Sequence, residues 1–112
     1  MKLITAIIRP ERLDVVREAL LHAEITRITV SRCTGHGRAV GDVDLYRGNQ
    51  VSPDLIPKTR LEIVVNDAFV KAAVDAIMSS AQSDKIGDGK IIVQSIDEVY
   101  RIRTGESGGD AV

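Results

Sequence analysis

Apolar positions along this chain follow two rhythms. From Lys2 to Arg9 they occupy both parities, with Leu3 and Ile7 on one side of an extended segment and Ile4, Ala6 and Ile8 on the other. That pattern predicts a strand buried on both faces. Leu13, Val16, Leu20 and Ala23 then recur at spacings of three and four, which predicts an amphipathic helix to about Ala23. Pro10 suits the first turn of that helix and Glu11 its positive end. Ile25 to Arg38 is dense in β-branched residues and predicts a second strand. Thr59 to Val65 predicts a third, with Leu61, Ile63 and Val65 facing one way and Glu62 and Val64 the other. Asp67 is placed to cap a second helix whose buried stripe is Val70, Val74, Ile77 and Ala81. The run Ile91-Ile92-Val93 reads as a buried fourth strand. The order β-α-β-β-α-β predicts an α+β, ferredoxin-like sandwich, a single domain over residues 1–112.

Two features do not suit a plain monomer of this kind. Helices can cover only one face of the sheet, yet the first and fourth strands are apolar on both, so a closed homo-oligomer is expected to cover the other. The segment 37–57, between the second and third strands, reads GRAVGDVDLYRGNQVSPDLIP, with three glycines and no helical period. Unstructured connections of that length in compact domains are either disordered or functional, and function is the expectation here.

Composition narrows the classes. At 112 residues and 44% apolar the chain is globular, and no apolar run approaches a membrane span. A formal net charge of −1 argues against nucleic-acid binding, which needs a basic face. The start MKLITAIIRPER lacks the apolar run and cleavage site of a signal peptide. A single cysteine, Cys33, excludes an internal disulfide and fits a reducing cytoplasm. Cys33, His22 and His36 are too few and too scattered for a zinc site, so no resident metal is expected.

The stretch from Ile86 to Arg103 carries the candidate chemistry. Gly87 and Gly89 flank Asp88, allowing a tight turn and close approach to a ligand, and Lys90 follows at the mouth of the apolar run. Backbone N–H groups and a lysine make an anion cradle. Arg101 and Arg103 alternate with Ile102, so an extended segment would point both to one side. The same residues suit a solvated turn and a charged strand end, and GDGK lacks the spacing of a phosphate-binding P-loop.

Several stretches together resemble the PII nitrogen-regulatory signal-transduction proteins, over nearly the whole chain. They are the opening MKLITAIIRPERLDVVREAL, GHGR at 35–38, DLYRG at 44–48, KIGDGKI at 85–91 and RIRTGESGGDA at 101–111. The resemblance implies a homotrimer whose three nucleotide sites lie in clefts between neighbouring subunits, where ATP and ADP compete. It also implies that a T-loop, here 37–57, changes shape to engage a protein target such as a transporter, an enzyme or a regulator. By resemblance, Thr29, Glu62 and Val64 line the adenine end. Gly37 and Arg38 lie beside the phosphates with Gly87, Asp88, Gly89, Lys90, Arg101 and Arg103. Val43, Leu45, Tyr46, Arg47 and Val51 fall in the partner-binding loop, and 101–112 is the C-terminal segment. Taken alone, Thr29 is also an ordinary β-former, Val64 a core residue and Glu62 a solvated strand residue.

Departures from the family pattern carry their own expectations. Ala39 stands where family members carry a glutamine that helps hold Mg2+ beside 2-oxoglutarate, and a methyl group cannot coordinate a hard cation. Lys58, the partner of the keto acid's far carboxylate, is present, whereas Val40 replaces a basic position. Val51 stands at the site of a modified tyrosine and Asn49 at that of a phosphorylated serine. The nucleotide half of the sensor is thus intact while the metabolite and modification halves are altered. A nucleotide-sensing regulator that is not an enzyme is the leading reading, acting on nitrogen metabolism through ATP, ADP or AMP, with Mg2+ accompanying ATP. Two others stand beside it: a slow nucleotide phosphatase, and a structural trimer of the metal-tolerance type without a nucleotide role.

Overall fold

The structure, a computed structural model, describes residues 1–36 and 55–112. Strand β1 (Lys2–Ile8) is followed by a 3-10 turn (Pro10–Arg12) and helix α1 (Leu13–His22). Strands β2 (Thr29–Gly35) and β3 (Ile56–Val65) come next, then a second 3-10 turn (Asp67–Phe69), helix α2 (Val70–Ala81) and strand β4 (Gly89–Ser95). The four strands form one sheet in the order β2-β3-β1-β4, with every neighbouring pair antiparallel. This is the ferredoxin-like arrangement the apolar pattern predicts.

The alternation along β1 and β3 decides where the core sits. Ile4 opposes Ile63 and Ala6 opposes Leu61, so these side chains share one face, and there they are buried with Ile8 and Val65. Both helices lie over that face: Val16 and Leu20 of α1, and Ala73 and Ile77 of α2, complete the cluster. Each large aliphatic side chain so buried contributes roughly 1.5–3 kcal/mol relative to exposure. The opposite face carries Leu3, Thr5 and Ile7 of β1, Lys58, Arg60, Glu62 and Val64 of β3, and Lys90 and Ile92 of β4. No helix covers it, and Leu3, Ile7 and Val64 are only half-buried.

Four local expectations are corrected. The second strand begins at Thr29 and not at Ile25. Glu24 adopts a left-handed φ of 64° that ends α1, and the Ile25 amide donates to the Leu20 carbonyl at 2.9 Å. Ile25 is buried in the core without joining the ladder. Asp67 caps no helix: its carboxylate accepts from the Met1 amino group at 2.9 Å. Strand β4 is not fully buried, since it lies at the edge of the sheet and leaves Ile92 41% and Val93 44% exposed. Finally, Arg101 to Arg103 do not extend. Gly105 donates its amide to the Arg101 carbonyl at 2.8 Å, which closes a turn and leaves Ile102 fully exposed.

Candidate functional site

The turn at Gly87 and Asp88 leads from α2 into Gly89 and Lys90 at the start of β4 and sits against the end of β1, where Ile8 pairs with Gly89. Gly89 has a φ of +110°, and a Cβ there would lie 1.7 Å from the Ile7 carbonyl oxygen. Only glycine fits, because the backbone passes too close to its neighbour for any side chain. The carboxylate of Asp88 is turned into the protein. It accepts from the Ser83 amide at 2.7 Å, from the Ser83 hydroxyl, and from Arg9 Nε at 3.2 Å. The Ser83 donors first, and Arg9 second, hold this carboxyl well below the usual carboxylate range. Arg9 also donates to the Ile86 carbonyl. From the other side, Lys58 Nζ donates to the Gly87 carbonyl at 2.7 Å.

Beside this turn lies an open cavity of about 530 Å³, into which Gly35, His36, Lys58, Lys85 and Lys90 also face. Two exposed lysines, Lys85 and Lys90, the half-buried Lys58 and a glycine-rich backbone make its chemistry that of an anion site. Lys90 is exposed, while the ammonium of Lys58 is already engaged with a carbonyl.

A second group of candidates gathers farther along the same open face. Thr29 opposes Glu62 across the β2–β3 ladder, and both line a cavity of about 410 Å³ with Leu3, Arg27 and Val64. Glu62 lies 3.6 Å from Arg60 Nε. On β3, Glu62 lies four positions on from Lys58, about 13 Å at the rise of an extended strand. An apolar valine, a hydroxyl and a carboxylate suit a flat polar ring better than a phosphate.

Sequence reasoning placed Lys90, Gly87, Asp88 and Gly89 together, and Thr29, Glu62 and Val64 together, and the fold does assemble each group. It does not bring Arg101 or Arg103 to the glycine turn of their own chain. Arg101 instead donates to the Val112 carbonyl at 3.5 Å, lies 3.8 Å from Glu106, and lines a cavity with Val64 and Phe69. Arg103 is exposed on the turn at 102–104. Gly37, Arg38, Val43, Leu45, Tyr46, Arg47 and Val51, like Ala39, lie outside the described residues. Arg9, Ser83 and Lys85 were missed as parts of the site. The one available signal was a charged residue, Arg9, ending an apolar strand just before a proline.

The family model described as nitrogen regulatory protein P-II matches residues 1–106. Nitrogen regulatory protein P-II of Rhodospirillum rubrum is 50% identical over 112 residues, covering all of both chains. Nitrogen regulatory protein P-II of Bradyrhizobium diazoefficiens is 51% identical over the same span, again with full coverage of both. Nitrogen regulatory protein P-II 2 of Methanothermobacter thermautotrophicus is 53% identical over 112 residues, covering all of this chain and 97% of its own.

Proposed function

The chain belongs to the nitrogen regulatory protein P-II family, and on that premise we propose that it is a signalling regulator that binds adenine nucleotides between neighbouring copies of itself. The observation that carries the reading is the glycine turn: a backbone that admits no side chain at 89, facing an open cavity with Lys90, Lys85 and Lys58 around it. In this reading the amides of residues 87–89 and the ammonium of Lys90 take the phosphates of ATP or ADP. Each charge-assisted contact contributes roughly 1.5–3 kcal/mol. Thr29, Glu62 and Val64 take the adenine. Arg101 and Arg103 lie away from their own glycine turn, and so serve the cleft through a second copy.

A homotrimer supplies that second copy and also covers the half-buried Leu3, Ile7 and Val64 of the open sheet face. Segment 37–57 then acts on a protein target in nitrogen metabolism, in the cytoplasm, without chemistry of its own. Among the described residues no helix is long and apolar enough to cross a membrane. In this reading Mg2+ arrives with ATP, drawing ligands from phosphate and water. With Ala39 in place of glutamine, the response follows which nucleotide is bound and depends little on 2-oxoglutarate.

Calorimetry with ATP, ADP and AMP, beside Lys90→Ala, tests the reading. Removal of one charged contact should weaken ATP about tenfold, with light scattering giving about three chain masses for both proteins. Absence of nucleotide binding, or unchanged affinity in the variant, would refute it.

A further inference from the structure

A glycine-rich turn is a poor anion site unless something orders it. Glycine backbone samples more conformations than any other, and freedom lost on binding weakens affinity. The turn also carries its own negative charge, Asp88, which lines the cavity with its side chain 23% exposed and would repel an incoming phosphate if left unpaired. Both problems meet at one side chain. The Nε of Arg9 donates to Asp88 at 3.2 Å, while its Nη2 donates to the Ile86 carbonyl. Arg9 directly follows β1, and its backbone is anchored through its neighbour Ile8, which pairs with both Thr59 and Gly89. Glu11 lies 3.9 Å from the same guanidinium, at the long end of ion-pair distance. The closer partners of the guanidinium are therefore those in the turn.

We propose that Arg9 is the positioning residue of the anion cradle. It ties the Asp88 carboxylate and the Ile86 carbonyl to the end of β1, so that Lys90 and the amides of 87–89 face the cavity in a fixed arrangement. Ser83 completes the tie by donating its amide and hydroxyl to the same carboxylate. Arg9 itself touches no ligand in this scheme. The planar fork matters as well as the charge, because two acceptors are held at once, and a lysine ammonium offers no such pair of fixed donors.

The proposal rests on the nucleotide reading for what the cradle binds, so its test has one arm that needs no nucleotide. Arg9→Lys, Arg9→Ala and Ser83→Ala are compared with the parent by amide hydrogen exchange of the unliganded proteins, and by calorimetry with ATP. Arg9→Lys and Arg9→Ala should both accelerate exchange at residues 86–90, leave the amides of β1 and β3 at parental rates, and weaken ATP by about tenfold. Ser83→Ala should move the same amides by a smaller factor. Parental exchange and affinity in Arg9→Lys would overturn the proposal, since charge alone would then suffice. Acceleration spreading through β1 and β3 would overturn it too, as a general loss of stability. If the parent takes up no ATP, the nucleotide reading fails, and the exchange arm still decides the role of Arg9.

Discussion

Replacing Gly89 by alanine would set a methyl carbon 1.7 Å from the Ile7 carbonyl oxygen and 2.8 Å from its carbonyl carbon, at a φ of +110°. Holding an L residue in such a region costs about 1–3 kcal/mol on its own. The overlap adds to this, because the obstructing atoms are main chain and cannot swing aside. Relief requires β4 to part from β1 at the Ile8–Gly89 pair, which forfeits a ladder hydrogen bond worth roughly 1 kcal/mol and leaves its groups poorly paired. The total comes to about 2–4 kcal/mol, a large share of the 5–15 kcal/mol, roughly, that holds a typical domain folded. Gly105 provides the control, since it has a φ of +74° and nothing within 4 Å of an added Cβ. Gly105→Ala should therefore cost only the backbone component, about 1–2 kcal/mol. Urea unfolding of both variants and the parent, at one protomer concentration, measures the difference directly. Losses in the two variants that agree within about 0.5 kcal/mol would refute the claim that packing against Ile7 demands glycine at 89.

Three further outcomes are expected. Ile77→Ala, at a fully buried position of α2, should lower stability by about 2–5 kcal/mol, while Met78→Ala, at an exposed position next to it, should stay within about 0.5 kcal/mol by the same urea assay. Because Asp88 has a carboxyl pKa depressed in the folded protein, it contributes stability above the unfolded carboxylate range, near pH 4, that is lost as pH falls below it. Asp88→Asn should accordingly lose less stability than the parent between pH 5 and about pH 3. Titration of 2-oxoglutarate into the Mg-ATP complex should show weak or no binding for the parent and gain in Ala39→Gln; tight binding by the parent would overturn the reading of Ala39.

The helices and the third strand were legible because each packs one face against one core, whereas the first strand, apolar on both parities, buries Ile4, Ala6 and Ile8 and leaves Leu3 and Ile7 half-buried. Val16, Leu20, Ile77, Ala81 and the alternation Leu61, Ile63, Val65 are buried as the pattern predicts, while Leu13, Ala23, Val70 and Val74 pack against the core only half-buried and Ala73 takes a core place the pattern missed. The start of the second strand was misread because β-branching at Ile25 and Ile28 reports burial as readily as strand, and both pack into the core from a loop. The fourth strand looked fully buried because a sequence does not say which strand is at the edge. The arginine pair at 101 and 103 looked extended because alternation of two charges around one isoleucine is too short a pattern to weigh against Gly105, whose positive φ shapes the turn. At the site, the glycines and Lys90 were visible as a local motif. Arg9 and Ser83 were not, since their role depends on contacts 79 and 5 residues distant in the chain.

The ladder between β2 and β3 pairs Gly35 with Ile56 at its last step. The chain thus leaves the sheet and rejoins it at adjacent, hydrogen-bonded positions, and the fold already holds the two ends together whatever lies between. Lengthening the intervening segment then costs little, about 0.6 kcal/mol for each doubling. Such a scaffold can exchange one specificity for another by substitution in a single segment, without having to refound its core.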